Sequence, residues 1–71
     1  ALNGGLDGFS KIRKVISKAS NLMKKNGKLI LEIGFNQKNE VKRILKKEGF
    51  YINKVLKDYG NNDRCIISTK N

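Results

Sequence analysis

The sequence contains no proline, no histidine and no tryptophan, a single cysteine, and only six acidic side chains against sixteen basic ones. Each shortage closes a route. Cys65 has no second cysteine with which to form a disulfide inside the chain. Without histidine there is no zinc-ligand set and no imidazole for acid–base work. No apolar run approaches the ~18 residues that a bilayer span requires, and no signal-peptide pattern is present, so no membrane role is expected. One thiol points to a reducing compartment, and the expected location is the cytoplasm. A chain this short buries only about 60% of its unfolded surface, which allows one domain at most.

The excess of cations gives a net charge of +10. A charge of that size fits a nucleic-acid or anionic-surface partner. It equally fits solvated helix faces in a lysine- and asparagine-rich sequence, because thirteen of the sixteen cations are lysines spread along the chain. A small basic nucleic-acid-binding or interaction module is therefore an alternative reading. It lacks the aromatic platform of an RNA-binding sheet and any helix-turn-helix spacing.

Apolar residues recur at Phe9, Ile12, Val15, Ile16, Ala19, Leu22 and Met23. At about 100° per residue they share one stripe roughly 140° wide, so the spacing predicts an amphipathic helix over about 8–25. Asp7 is placed to cap it and Gly27 to end it in a left-handed conformation. Lys28-Leu-Ile-Leu-Glu-Ile-Gly34 is nearly continuous apolar sequence and reads as a strand over about 28–34, buried on both faces as in a parallel sheet. Leu29, Leu31 and Ile33 point one way, Ile30 and Glu32 the other. A second helix is expected over about 37–48, with Asn36 as its cap, Val41, Ile44 and Leu45 inward, and Gly49 ending it. Strands follow over about 51–57 and 64–69, joined by Asp58-Tyr-Gly-Asn-Asn-Asp63 as an antiparallel hairpin.

The predicted class is thus α/β, in the order helix-strand-helix-strand-strand. A buried parallel strand needs parallel neighbours, and crossovers between parallel strands are right-handed in nearly all cases. The first helix then reads as a crossover returning from a strand upstream of Ala1. The opening Ala1-Leu-Asn-Gly-Gly-Leu-Asp-Gly8, with three glycines in five positions, reads as the loop that leaves that strand. Ligands of open α/β sheets bind at the carboxyl ends of the strands. The opening loop, Glu32-Ile-Gly-Phe-Asn-Gln37 and the hairpin turn would all meet at that edge. Each has a plainer reading: a linker for the loop, a lysine partner for Glu32, a first-turn helix position for Gln37, an ion pair with Asp63 for Arg64. Tyr51 and Tyr59 read as packing or rim residues. Cys65 reads as a small buried residue without the neighbouring base that a nucleophile needs. No catalytic set is complete within the chain.

Ala1-Leu-x-Gly-Gly-x-Asp-Gly8, Leu31-Glu-Ile-Gly-x-x-Gln37, Gly49-Phe50 and Asp58-x-x-x-x-Asp-Arg64 resemble, in order and spacing, the end of the HemK (PrmC) type of protein-glutamine methyltransferases, which modify peptide chain release factors. The resemblance covers essentially all 71 residues. It implies the carboxyl-terminal portion of a class I, Rossmann-like domain that uses S-adenosylmethionine. In that sheet the last strand is antiparallel and inserted between the fifth and sixth. It further implies a substrate-side supporting loop at Gly4, Gly5, Asp7 and Gly8, and a strand end near the active site at Glu32, Gly34 and Gln37. The family holds its glutamine with an Asn-Pro-Pro-Tyr motif, which a chain without proline cannot contain. Its cofactor contacts also map to no residue here. The resemblance therefore implies no catalytic, cofactor-binding or metal residue in this chain, and a fragment inactive alone. Some members of the family are fused to a tRNA methyltransferase. In such a fragment one sheet face and the edge of strand 28–34 are expected to be uncovered, favouring self-association that grows as salt screens the +10 charge.

Overall fold

The computed structural model describes residues 9–34 and 36–71. The chain forms α1 (Ser10–Leu22), β1 (Lys28–Glu32), α2 (Lys38–Lys47), β2 (Phe50–Lys57) and β3 (Asp63–Lys70). Helix α1 opens at Phe9, whose carbonyl accepts from the Arg13 N–H at 2.9 Å. Asp7, the expected cap, lies outside the described residues.

The other end of α1 differs from expectation. It stops at Leu22, not Lys25, and Met23 is already extended at ψ 146°. The left-handed residue is Asn26, at φ 74°, rather than Gly27. The cause lies across the sheet. The Asn26 N–H donates to the Lys70 carbonyl and the Lys70 N–H to the Gly27 carbonyl, each at 2.8 Å. Residues 26 and 27 thus already continue the ladder of β3, so the helix must release the chain earlier. Leu22, expected on the inner face, is 75% exposed at this departure point. Met23 packs against the core instead.

Helix α2 starts at Gln37 rather than Asn36, with no side-chain cap on its first turn. Glu40 in the first turn and Lys46 and Lys47 in the last suit the helix dipole. Gly49 ends the turn at φ 92°, a conformation that residues with a Cβ adopt at a cost.

The strands form one sheet in the order β1-β3-β2, with both pairings antiparallel. Strands β1 and β2 therefore run in the same direction with β3 between them. Among the described strands the one partner of β1 is β3, so the other edge of β1 is open, as expected above for strand 28–34. Asn53 is the extra residue of a bulge in β2, and its Oδ1 accepts from the Thr69 hydroxyl at 2.6 Å.

Register divides the sheet into two faces. Leu29, Leu31, Ile33, Phe50, Ile52, Val55, Ile66 and Ser68 face the helices. Ile16 of α1 and Val41, Ile44 and Leu45 of α2 close over them, and Ile16, Val41, Leu45 and Ile66 have no exposed surface. Ile12 is partly buried at the margin of this core. Ser68, the buried polar residue, donates from its hydroxyl to the Leu29 carbonyl at 3.1 Å, so burial leaves no orphan. The opposite face carries Ile30, Ile67, Cys65, Leu56 and Tyr51 in adjacent registers. Ile30 is 61% exposed. Both helices lie on a single side, so β1 is covered on one face and the other is open, as expected above for this chain.

More than half of the cations lie on the helices, while Lys28, Lys54 and Glu32 share the open face of the sheet. The two helices carry nine cations, Lys11, Arg13, Lys14, Lys18, Lys38, Lys42, Arg43, Lys46 and Lys47, against one carboxylate, Glu40. Glu40 joins the helices by accepting from Arg43 at 2.8 Å and pairing with Arg13 at 3.5 Å.

Candidate functional site

The carboxyl ends of β1 and β2 lie at one edge of the sheet, and two of the three expected segments meet there. The third, Gly4, Gly5, Asp7 and Gly8, lies outside the described residues.

The first segment leaves β1. Ile33 anchors it: the side chain is buried, and the N–H donates to the Arg64 carbonyl at 2.8 Å, one step past the end of the strand. Gly34 and Gln37 then grip each other. The Gly34 N–H donates to the Gln37 side-chain Oε1 at 2.7 Å, and the Gln37 N–H donates back to the Gly34 carbonyl at 3.1 Å. The Gln37 carbonyl in turn accepts from the Val41 N–H at 3.0 Å, which begins α2. A strand end, a reciprocal turn and a helix start are thus linked without a break.

The second segment is the β2–β3 turn. Its first residue, Asp58, organises it. Asp58 Oδ1 accepts from the Asn62 N–H at 3.0 Å, and the Asp58 N–H and Asn62 carbonyl pair at 2.9 Å. Asn61 takes the left-handed conformation at φ 64° that the reversal needs. Asp58 Oδ2 accepts from Arg64 Nε at 2.9 Å. Arg64 therefore pairs with Asp58 and not with Asp63, as the sequence had led us to expect. The register shifts here: Cys65 faces Leu56 and Asp63 faces Lys57, so Arg64 is the extra residue and turns away from its neighbour. Asp63 instead accepts from Lys57 at 2.7 Å and lies 3.6 Å from Lys38, the first residue of α2. That last pair ties the two segments together. Lys38 was not singled out from the sequence, and Asp58 stood there only as part of a motif, without a role. An aspartate four residues before an asparagine in a glycine-bearing turn is the signal that would have found the latter.

An open hollow of about 300 Å³ lies at this edge, lined by Glu32, Ile33, Arg64 and Cys65. Glu32 stands opposite Cys65 in the register, and both belong to the face away from the helices. Glu32 has no ion pair among the described residues, which corrects the lysine-partner reading. Cys65 is half-buried against the hollow, not fully buried as expected. Glu32 and Arg64 are both exposed, so these residues do not by themselves enclose a ligand the size of a nucleoside. Among the described residues there is no group of three metal-ligating side chains, and no helix long and apolar enough to cross a membrane.

Hydrogen bonding sets the acid response of the turn. The Asn62 amide, and after it the Arg64 guanidinium, holds the Asp58 carboxyl below its ordinary value against the partial burial that raises it. The Lys57 ammonium does the same for Asp63, with Lys38 adding to it, again against partial burial. A carboxyl lowered in the folded state stabilises the fold above its unfolded value, about 3.9, and loses that contribution as pH falls through the folded value. The hairpin turn is therefore expected to loosen below about pH 4. Amide exchange at Asn62 should speed up there before the core amides do. In an Asp58→Asn, Asp63→Asn double variant this acid step should flatten, and an unchanged step would show that other carboxylates control it.

No protein-family model matches the chain, and no solved structure matches it. Curated proteins do. A release factor glutamine methyltransferase of Agrobacterium fabrum is 39% identical over 66 residues, which is 93% of this chain and 23% of that protein. One of Fusobacterium nucleatum is 42% identical over 69 residues, covering 97% of this chain and 19% of that protein. A protein named bifunctional methyltransferase, of Rickettsia felis, is 38% identical over 61 residues, 86% of this chain and 12% of its own length. The chain thus spans about a fifth to a quarter of the release factor methyltransferases it matches. Its two described motif segments meet at one sheet edge, and nearly end to end the chain is similar to a segment of release factor glutamine methyltransferases.

Proposed function

We propose that these 71 residues are the carboxyl-terminal portion of a class I, Rossmann-like domain that transfers a methyl group from S-adenosylmethionine to the glutamine side-chain amide of a peptide chain release factor in the cytoplasm. The observation that carries this reading is 36–42% identity to release factor glutamine methyltransferases over nearly the whole chain. The insertion of β3 between β1 and β2 supports it, because this is the arrangement the resemblance implies for the last three strands. In this reading Gly4, Gly5, Asp7 and Gly8 support the substrate side. Glu32, Gly34 and Gln37 form the adjoining strand end, and the residues that bind cofactor and glutamine lie in the rest of the protein. An amide nitrogen is a weak nucleophile, so the edge described above contributes by holding groups in place.

Methyl transfer to a release factor, followed with labelled S-adenosylmethionine, tests this in two arms. The full-length protein is expected to label the factor on glutamine. The 71-residue chain alone is expected neither to label it nor to bind the cofactor in calorimetry. Absence of labelling by the full-length protein overturns the reading. So does a micromolar dissociation constant for the 71-residue chain.

A further inference from the structure

We propose that Gln37 is a positioning residue, whose carboxamide oxygen clamps the Gly34 amide and so fixes the chain leaving β1 at the substrate end of the sheet. The inference rests on the methyltransferase reading above for its functional half, and on geometry for the rest.

The geometry explains why the two residue types stand three apart. Gly34 is the first residue beyond Ile33, the last anchor of β1, and its N–H has no strand partner. Gln37 is the residue from which α2 departs. A side chain of its length, folded back over three residues, puts an acceptor 2.7 Å from that N–H. The carboxamide then occupies the space above Gly34. A Cβ added at Gly34 would meet Gln37 Oε1 at 3.2 Å, Cδ at 3.3 Å and Cγ at 3.5 Å. A side chain at position 34 would thus press on the glutamine by a few tenths of an ångström, and the glutamine is held by the glycine's amide. No left-handed backbone is involved, since Gly34 does not lie in that region. Its small size is what the site uses.

The consequence is a loop whose exit from β1 is fixed by a side chain rather than by the strand ladder. Ligands of α/β sheets meet the chain at this end. A substrate protein approaching it meets a surface already shaped, and binding does not have to order it. The Lys38–Asp63 pair, one residue along, fastens the same exit to the hairpin turn.

Only the acceptor end of Gln37 is used in the clamp. Gln37→Glu keeps an acceptor of the same reach and adds negative charge at a helix start, where it is favourable. Gln37→Met keeps the length and loses the acceptor. In the 71-residue chain, urea unfolding of Gly34→Ala, Gln37→Met and the double variant forms a cycle. Gln37→Met should lower the folding constant up to about tenfold, the loss of one hydrogen bond. Gly34→Ala should cost markedly less in the Gln37→Met background than alone. In the full-length enzyme, Gln37→Met should raise KM for the release factor about tenfold and leave the affinity for S-adenosylmethionine unchanged, while Gln37→Glu stays close to the parent in both.

Additive effects in the cycle would overturn the clamp. A coupled cycle with an unchanged KM would overturn the positioning role. Loss of activity in Gln37→Glu equal to that in Gln37→Met would also overturn it, by moving the function to the amide nitrogen. A parent enzyme without methyl transfer would instead sink the functional reading, and the cycle in the short chain would still decide the clamp.

Discussion

Phe50→Ala is expected to lower the stability of the chain by about 3–5 kcal/mol. Phe50 is 2% exposed and is the largest of the fully covered side chains. It opens β2, faces α2, and lies 5.8 Å below the Lys70 ammonium, which in turn donates to Ser20 of α1 at 3.2 Å. One ring thus holds the end of β3 and the ends of both helices in place, since the Ser20 hydroxyl also donates to the Glu48 carbonyl at 2.8 Å. Truncating a buried phenylalanine costs about 3–5 kcal/mol. A domain of 71 residues has roughly 4–11 kcal/mol in all, at the usual stability per residue. The loss therefore takes from about a quarter to all of it. Circular dichroism and urea titration read the result. A folded variant with its midpoint within error of the parent would show that the core does not run through this ring.

A second large effect is expected on assembly rather than on folding. Ile30 and Ile67 are cross-strand partners on the face away from the helices, with Leu56 and Tyr51 beside them. In the isolated chain this surface is open, and apolar surface of this kind favours contact between copies. Burying an isoleucine is worth about 1.5–3 kcal/mol, of which Ile30 has already gained only the smaller part. Ile30→Lys should therefore weaken self-association by more than tenfold, measured by sedimentation, and leave the melting temperature nearly unchanged. Ile66→Lys, adjacent in sequence to Ile67 but buried under the helices, should instead abolish folding. Equal association in the parent and in Ile30→Lys would show that this face is not the contact.

The comparison of these two isoleucines also shows what could be read from the sequence. Alternation placed Leu29, Leu31 and Ile33 on one side of β1, and helical spacing placed Ile16, Val41 and Leu45 inward, because both patterns depend only on local geometry. What failed was non-local. Gly27 has the chemistry of a helix terminus, yet Lys70, forty-three residues away, captures the chain first. Arg64 sits beside Asp63 in sequence, yet a shift in register gives them different partners, Asp58 for the one and Lys57 and Lys38 for the other. At the candidate site, the spacing of Gly34 and Gln37 was visible as a motif. The reason for it, a carboxamide lying over a bare Cα, required coordinates.

The uneven placement of charge changes how two copies would feel one another. If the +10 were spread evenly, approach through any face would be opposed, and added salt would strengthen association steeply. Here nine of the sixteen cations stand on the helices, and the open sheet face holds two, Lys28 and Lys54, the latter directly opposite Ile67. Copies meeting sheet to sheet turn most of their charge outward but bring these lysines together, against a screening length of about 10 Å at 0.1 M salt. Dimerisation should therefore strengthen as salt rises, chiefly through Lys28 and Lys54. Adsorption to an anionic surface should respond strongly to ionic strength, and should leave the sticky face pointing into solution.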